Sequence, residues 1–244
     1  MNIKFTNNRA NGFRVYSKNE STFIDSTTDE YAETQSYANI EKTERFLLPL
    51  MKELSVSTAL DVGCGVGSMV TALNDNGIDA YGVDLLNLGK YWARLNLDRD
   101  RFLIVDPCNL ELPFHDKSFD FVFSLGAIEH VGTSNGHSDR LHNYKDIRRD
   151  WLRELFRVVK DDKYLLIGGP NRMFPIDVAH SPDTQASKME RVLSKISKCS
   201  VHFPWNDGFL WSYGEVIEFL EGLSYEIKAL SIKEFLYLSR VPTF

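Results

Sequence analysis

Cysteine is scarce in this chain: three in 244 residues, Cys64, Cys108 and Cys199. An odd and sparse set cannot build a disulfide framework, and it points to a reducing compartment. No window approaches the ~18 consecutive apolar residues of a membrane span. The opening stretch, MNIKFTNNRANGFRVYSKNE, has no apolar core of the kind a secretory signal needs, so none is expected. A cationic excess is missing too. Lys and Arg number 28 against 34 Asp and Glu, a formal charge of −6. Nucleic-acid binders usually present a basic face, so no phosphate backbone is expected as the partner. Internal repeats and low-complexity tracts are also lacking. What remains reads as a soluble, acidic, cytoplasmic protein. Its 43% hydrophobic content suffices for the core of one large domain with a lid.

The patterning then divides the chain. Residues 1–54 form an extension whose first 30 residues are weakly patterned. A helical stretch follows, with Ile40, Phe46, Leu47, Leu50, Met51 and Leu54 at spacings near three and four. Pro49 inside it predicts a kink or a break. Across residues 55–171 short apolar strands alternate with helices. Strands are expected at Ser57–Val62, Asp79–Val83, Arg101–Val105, Phe119–Ser124 and Lys163–Ile167, and helices at Ser68–Asp75, Leu88–Leu97 and Asp146–Val159. That alternation predicts an α/β fold with a mainly parallel sheet between helical layers. Residues 172–213 break the alternation. They are aromatic-rich and bounded by proline, as a lid over an acceptor site would be. In residues 214–244 a helix at Val216–Leu223 precedes two expected strands, Tyr225–Leu230 and Glu234–Arg240, which would close the sheet as a hairpin.

Chemistry concentrates after the first expected strand. Asp61-Val-Gly63-Cys64-Gly65-Val-Gly67 ends that strand and opens a helix. Glycines there allow a tight turn and a close backbone approach to a ligand. The spacing is G-x-G-x-G rather than the G-x-G-x-x-G of a dinucleotide fingerprint, and the Lys-Ser/Thr of a triphosphate loop is absent. Asp84 ends the next strand, where a carboxylate can accept both hydroxyls of a ribose. Asp106 ends the third, where a carboxylate can receive an exocyclic amine. Neighbouring tips carry glycines and carboxylates, with no Arg or Lys placed for a diphosphate. A nucleoside bearing a cationic appendage fits that edge.

DVGCGVGSM, YGVDLL, VDPCNLELPFHDKSFDFVFSLGAIEHV and ELFRVVKDDKYLLIGGPN resemble, in order and spacing, the motifs of class I S-adenosylmethionine-dependent methyltransferases of the type 11 kind. The resemblance covers about Ala59–Asn171. It implies a Rossmann-like, seven-stranded mixed sheet whose last strand is antiparallel, which agrees with the hairpin expected in the tail. Asp161-Asp162 stands where the family usually has Gly-Gly. The resemblance also assigns roles. Asp61, Gly63, Cys64 and Gly65 would meet the methionine part of S-adenosylmethionine. Asp84, with Leu85 beside it, would hold the ribose. Asp106, Pro107 and Cys108 would surround the adenine. Ser124 and Leu125 would lie along the cofactor's amino group. Both Cys64 and Cys108 read as packing residues rather than nucleophiles.

Methyl transfer is a displacement at a carbon already activated by the sulfonium, so the enzyme chiefly aligns the acceptor. A hydroxyl acceptor must also lose a proton, which makes a general base useful. Glu129 and His130, just past the fourth strand, and His180, in FPIDVAHSP of the lid, are the candidates for catalysis. The metal-like spacings within the sequence, Asp177 with His180 and His137 with His142, lack a further close ligand, so no metal is expected.

SLGAIEHVG lacks the Asn/Asp-Pro-Pro-aromatic motif of nucleobase amine methyltransferases. NRMFPIDVAHSP is similar to a segment of some bacterial methyltransferases near glycan synthesis. The expected acceptor is therefore a small molecule or glycan end, methylated on oxygen. SLGAIEHVG also resembles cyclopropane fatty-acid synthases, and C-methylation of a quinone or polyketide fits the same core. A silent module that only binds the cofactor is the alternative from another class.

Overall fold

The computed structural model describes residues 9–16, 29–106, 111–134, 136, 139–177, 180, 182–205, 208–228 and 230. Nine strands and seven α-helices are present among them, joined by two short helices of other type. The strands are β1 (Arg9–Ala10), β2 (Phe13–Tyr16), β3 (Thr58–Val62), β4 (Asp79–Asp84), β5 (Phe102–Val105), β6 (Phe119–Leu125), β7 (Val159–Gly168), β8 (Ile176–Asp177) and β9 (Ser200–Val201). The helices are α1 (Asp29–Lys42), α2 (Leu48–Glu53), α3 (Ser68–Asp75), α4 (Gly89–Arg94), α5 (Tyr144–Val158), α6 (Lys188–Ser197) and α7 (Tyr213–Phe219).

Seven strands make one mixed sheet in the order β1-β2-β5-β4-β3-β6-β7. All neighbours from β2 to β7 run parallel. The five strands expected in the core therefore form, in place, the α/β sheet the alternation implied. The central strands are buried on both faces and read as nearly unbroken apolar runs, as Phe-Leu-Ile-Val of β5 does. One core layer joins the β3–β6 centre to α3 and α4 through Leu73, Trp92 and Phe121. The other joins it to α5 and α7 through Val122, Trp151, Leu155 and Phe219.

Among the described residues the antiparallel member of the sheet is β1, paired with β2 across Asn11-Gly12, which was not expected. Both turn residues have positive φ, 52° and 89°, the backbone a two-residue hairpin turn demands and Asn-Gly supplies. At the other terminus, residues 225–228 carry no strand, and the stretch Glu234–Arg240 lies outside the described residues.

Pro49 acts as expected on the long N-terminal helix. The turn ahead of it, Thr43–Leu47, is a π-helix, and the Leu48 N–H donates to Thr43 O five residues back. Proline has no N–H to give, and its ring crowds the carbonyl four residues earlier, so the wider turn carries the chain into α2.

The stretch after β7 folds around α6. Ser187 and Glu190 close a capping box at its start. The pair β8 and β9 lies antiparallel beside it, Asp177 opposite Ser200.

Candidate active site

The ends of β3, β4, β5 and β6 carry the residues singled out above. Parallel strands present their carboxyl ends along one edge, so loops from all four meet there. The Gly63 and Cys64 N–H groups both donate to Val83 O, fastening the glycine loop to the end of β4. Gly63 has φ +87° and needs to be glycine twice over. An added Cβ would also stand 2.6 Å from Ala127 Cβ, because the loop after β6 packs directly on it. Gly65, at φ +55°, has no atom within 4 Å of a Cβ position and faces open space. Asp84 accepts from Gly65 N at 2.6 Å and from Leu85 N at 2.7 Å. Ser124 Oγ donates to Val62 O at 2.6 Å and ties the tips of β6 and β3 together.

Asp61 is buried, and burial, reinforced by the Asp84 carboxylate, pushes its pKa well above the ordinary range against the pull of Lys42. A cationic group brought to this edge would offset both carboxylates. Asp106 is buried at the end of β5. Leu125 lies half-buried at the end of β6. Cys64 points down into the core with its Sγ 2.8 Å from the Cβ position of Gly82, and burial pushes the thiol pKa up. That is the packing role expected of it. Pro107 and Cys108 lie outside the described residues.

Sequence reasoning missed one support of this loop. The buried Trp92 on α4 donates from Nε1 to Gly65 O at 2.8 Å. Phe13 of β2 meets the Trp92 ring edge-on at 5.2 Å, so the N-terminal hairpin holds the indole that holds the loop.

The second cluster sits on the turn after β6, where Glu129 and His130 were expected to act, and the structure brings His180 to it from the segment after β8. The two histidine Nε2 atoms stand 3.3 Å apart. Each ring is held from behind. His130 Nδ1 lies 2.5 Å from Gly136 O, and His180 Nδ1 lies 2.8 Å from Asp177 Oδ2. Phe209 packs edge-on against both rings, at 5.6 and 5.2 Å. Glu129 is fully buried, and neither carboxylate oxygen has a hydrogen-bond partner among the described residues. Burial raises its pKa to about 7, against the nearness of its own backbone N–H and the charges of His180 and Arg148. For His180, burial acts downward, but the Asp177 carboxylate outweighs it and the net shift is upward. The cluster adjoins the glycine loop through Ala127. A Cβ on Gly126 would stand 3.8 Å from Glu129 Oε1.

Arg148, another residue that the sequence did not reveal, fixes this wall from below. It is 1% exposed on α5. It donates to the backbone oxygens of Glu129 at 2.6 Å, Val131 at 3.1 Å and Phe209 at 2.8 Å. One side chain thus joins the turn after β6 to the segment carrying Phe209. The aromatic lining expected of the lid is only partly realised. Phe209 and Trp211 are buried, whereas Phe174 and Trp205 are exposed and Trp205 stacks on Phe203.

Residues 60–167 match the family described as a methyltransferase domain, the stretch that holds the glycine loop, both strand-tip carboxylates and Glu129-His130. The matched segment, 108 of the chain's 244 residues, is a methyltransferase domain of the class I kind, and its cofactor is S-adenosylmethionine. The chain is 26% identical over 148 residues to a sterol 24-C-methyltransferase of Schizosaccharomyces pombe, covering 52% of this chain and 39% of that one. The chain thus matches about two-fifths of the length of that curated relative. Among solved structures it is similar to the PH0226 protein of Pyrococcus horikoshii, at 18% identity and a TM-score of 0.48 over 79% of this chain and 88% of that one. It is also similar to S-adenosylmethionine-bound CalS10, an amino pentose methyltransferase from Micromonospora echinaspora. There the identity is 17% and the TM-score 0.42, over 59% of this chain and 57% of that one.

Proposed function

We propose that this methyltransferase moves a methyl group to a hydroxyl of a small polar acceptor, a saccharide or glycan end being the class that fits best. The observation that carries the reading is the polar wall of buried Glu129 and half-buried His130 and His180, set against the loop that borders the glycine turn. An apolar acceptor would leave the Glu129 carboxylate without a partner, at a cost of several kcal/mol for a buried charge. A hydroxylated acceptor supplies one.

The residues of the sheet edge fit the cofactor. Gly63 and Gly65 leave room for its methionine part, and Asp61 would face its ammonium. Asp84 would exchange its bond to Gly65 N for the ribose hydroxyls, with Leu85 alongside. Asp106 would receive the adenine amine, together with Pro107 and Cys108. Ser124 and Leu125 would border the amino group, while Cys64 contributes only through its backbone. When bound, S-adenosylmethionine supplies a methyl carbon made electrophilic by its sulfonium. The chain's own residues then position and exclude. His130, His180 and Glu129 hold the acceptor oxygen on the methyl side. Phe209 and Trp211 form the apolar part of that face, and Arg148 fixes the two segments that form it. Holding both partners at near-attack distance is worth up to about 7–11 kcal/mol of the barrier.

The sterol relative makes C-methylation the second reading, since its name places the transfer on carbon. A screen of acceptors with radiolabelled methyl donor separates the readings. O-methylation predicts label in an alkali-stable methyl ether of a hydroxylated acceptor. Label on carbon would overturn the choice of acceptor atom. Tight donor binding with no labelled product from any acceptor class would leave only a binding module.

A further inference from the structure

The geometry points to a divalent transition-metal site at Glu129, His130 and His180, which holds the oxygen of the acceptor. The inference rests on the function proposed above for its acceptor, but not for the ion. One ligand atom from each of the three residues lies within 4.8 Å of the others. The two Nε2 atoms stand 3.3 Å apart. Two imidazole nitrogens at the usual zinc distance, spread at the tetrahedral angle, are about 3.3 Å from each other.

Both rings also face the right way. The Gly136 carbonyl can only accept, so it fixes the proton of His130 on Nδ1 and leaves Nε2 with its lone pair turned inward. Asp177 does the same for His180. A carbonyl and a carboxylate behind two inward-facing histidines are the arrangement that orients metal ligands and raises their basicity. Neutral rings would otherwise oppose two lone pairs at this spacing.

Glu129 supplies the independent observation. Its carboxylate is fully buried and has no hydrogen-bond partner on either oxygen among the described residues. Arg148 lies nearby but is spent on backbone carbonyls, Glu129 O among them. A divalent ion between the three side chains satisfies the carboxylate and separates the two nitrogens. Two imidazoles and one carboxylate suit zinc or a neighbouring transition ion better than magnesium or calcium. Three protein ligands leave a coordination position open, as catalytic rather than structural sites do.

That open position takes the acceptor hydroxyl. Coordination makes the hydroxyl more acidic, and its proton leaves to water. An oxygen lone pair then forms the bond to the methyl carbon, and the carbon–sulfur pair passes to sulfur. Trp211 borders the same space: a Cβ on Gly169 would lie 3.1 Å from both Trp211 Nε1 and Glu129 Oε2. The Trp211 N–H has no partner among the described residues and is available to the acceptor.

No spacing within the sequence suggested this set, because His130 and His180 are 50 residues apart. The expectation that no metal binds weighed only neighbours along the chain.

The test is titration of Zn²⁺ into untagged, chelator-treated full-length protein, followed by isothermal calorimetry. A parallel titration with Co²⁺ reads the visible absorption of a four-coordinate nitrogen–oxygen site. One equivalent of Zn²⁺ is expected to bind. Glu129→Gln and His180→Ala are each expected to weaken it more than Asp177→Asn, which should cost about 10–100-fold as an outer-shell change. Binding of S-adenosylmethionine to each variant reports that it is folded, and Asp177→Asn keeps the test decisive if a ligand variant fails to fold. No uptake by wild-type protein, or uptake equal in wild type and all folded variants, overturns the metal site. Donor binding is read in its own titration, so its failure would count against the proposed function and leave the zinc result standing.

Discussion

Arg148→Met removes the side chain that joins the two halves of the wall proposed to hold the acceptor. The methionine nearly fills the volume, so the loss isolates the three hydrogen bonds and the charge. Charge-assisted bonds of this kind contribute about 1.5–3 kcal/mol each, and the three are 2.6, 2.8 and 3.1 Å long. Their sum overstates the effect, because a buried guanidinium is itself costly to desolvate. That cost shows in its pKa, which burial lowers to about 10 despite Tyr144, Glu215 and Glu129 pulling the other way. Methionine leaves those three buried carbonyls without their donor, at about 1–3 kcal/mol each before the relieved desolvation is counted. That is a large share of the roughly 5–15 kcal/mol that holds a domain together. Urea unfolding followed by circular dichroism should show such a loss. Arg148→Lys keeps the charge but not the fork that reaches three carbonyls, so it should recover only part. Donor affinity, measured where both variants are folded, should stay near wild type because Arg148 does not touch the glycine loop. A loss under about 1 kcal/mol for Arg148→Met would refute the clamp.

Four further outcomes are expected. Asp84→Ala should weaken S-adenosylmethionine binding by at least about tenfold, as loss of a charged hydrogen-bonding partner does, and calorimetry reads it directly. Gly63→Ala places a methyl against Ala127 at positive φ; about 1–3 kcal/mol of strain should appear as a lower melting temperature together with weaker donor binding. Asp120 is pulled toward burial's higher pKa, but the Lys160 ammonium and the Ser57 and Thr58 N–H groups outweigh that and lower it. Its carboxylate therefore stabilises the fold above the ordinary aspartate range and loses that contribution as pH falls through its depressed value, so the urea-midpoint gap between wild type and Asp120→Asn should be wide at neutral pH and close in acid. His130→Ala and His180→Ala should each reduce methyl transfer to an identified acceptor while leaving donor affinity near wild type, as radiolabel transfer and calorimetry together will report.

Much of the sheet edge proposed for the donor could be placed from sequence because its signals are local. Asp61 to Gly67 lie in one stretch, and Asp84 and Asp106 stand where apolar runs stop. The N-terminal hairpin carried an equally local signal in Asn11-Gly12, but the strands it joins are two and four residues long and show no alternation. The supports were not legible at all. Trp92 reaches Gly65 across 27 positions, and Arg148 reaches Phe209 across 61. Nothing in a helix's own periodicity distinguishes a tryptophan that packs from one that also donates to a distant carbonyl. The acceptor wall fell between the two cases. Asp177 and His180 were visible as neighbours, yet the ring that His180 faces comes from the far side of α5.

The strand Phe13–Tyr16 runs alongside Leu103–Val105 and covers the side of it that faces away from Asp79–Asp84. A fragment trimmed to the family boundaries, starting at residue 60, would therefore expose a hydrophobic ribbon of unpaired amides and strip the indole of Trp92 of its neighbour. Such a piece is a candidate for sticking to copies of itself, so the recognisable segment and the unit able to stand alone are different lengths of polypeptide.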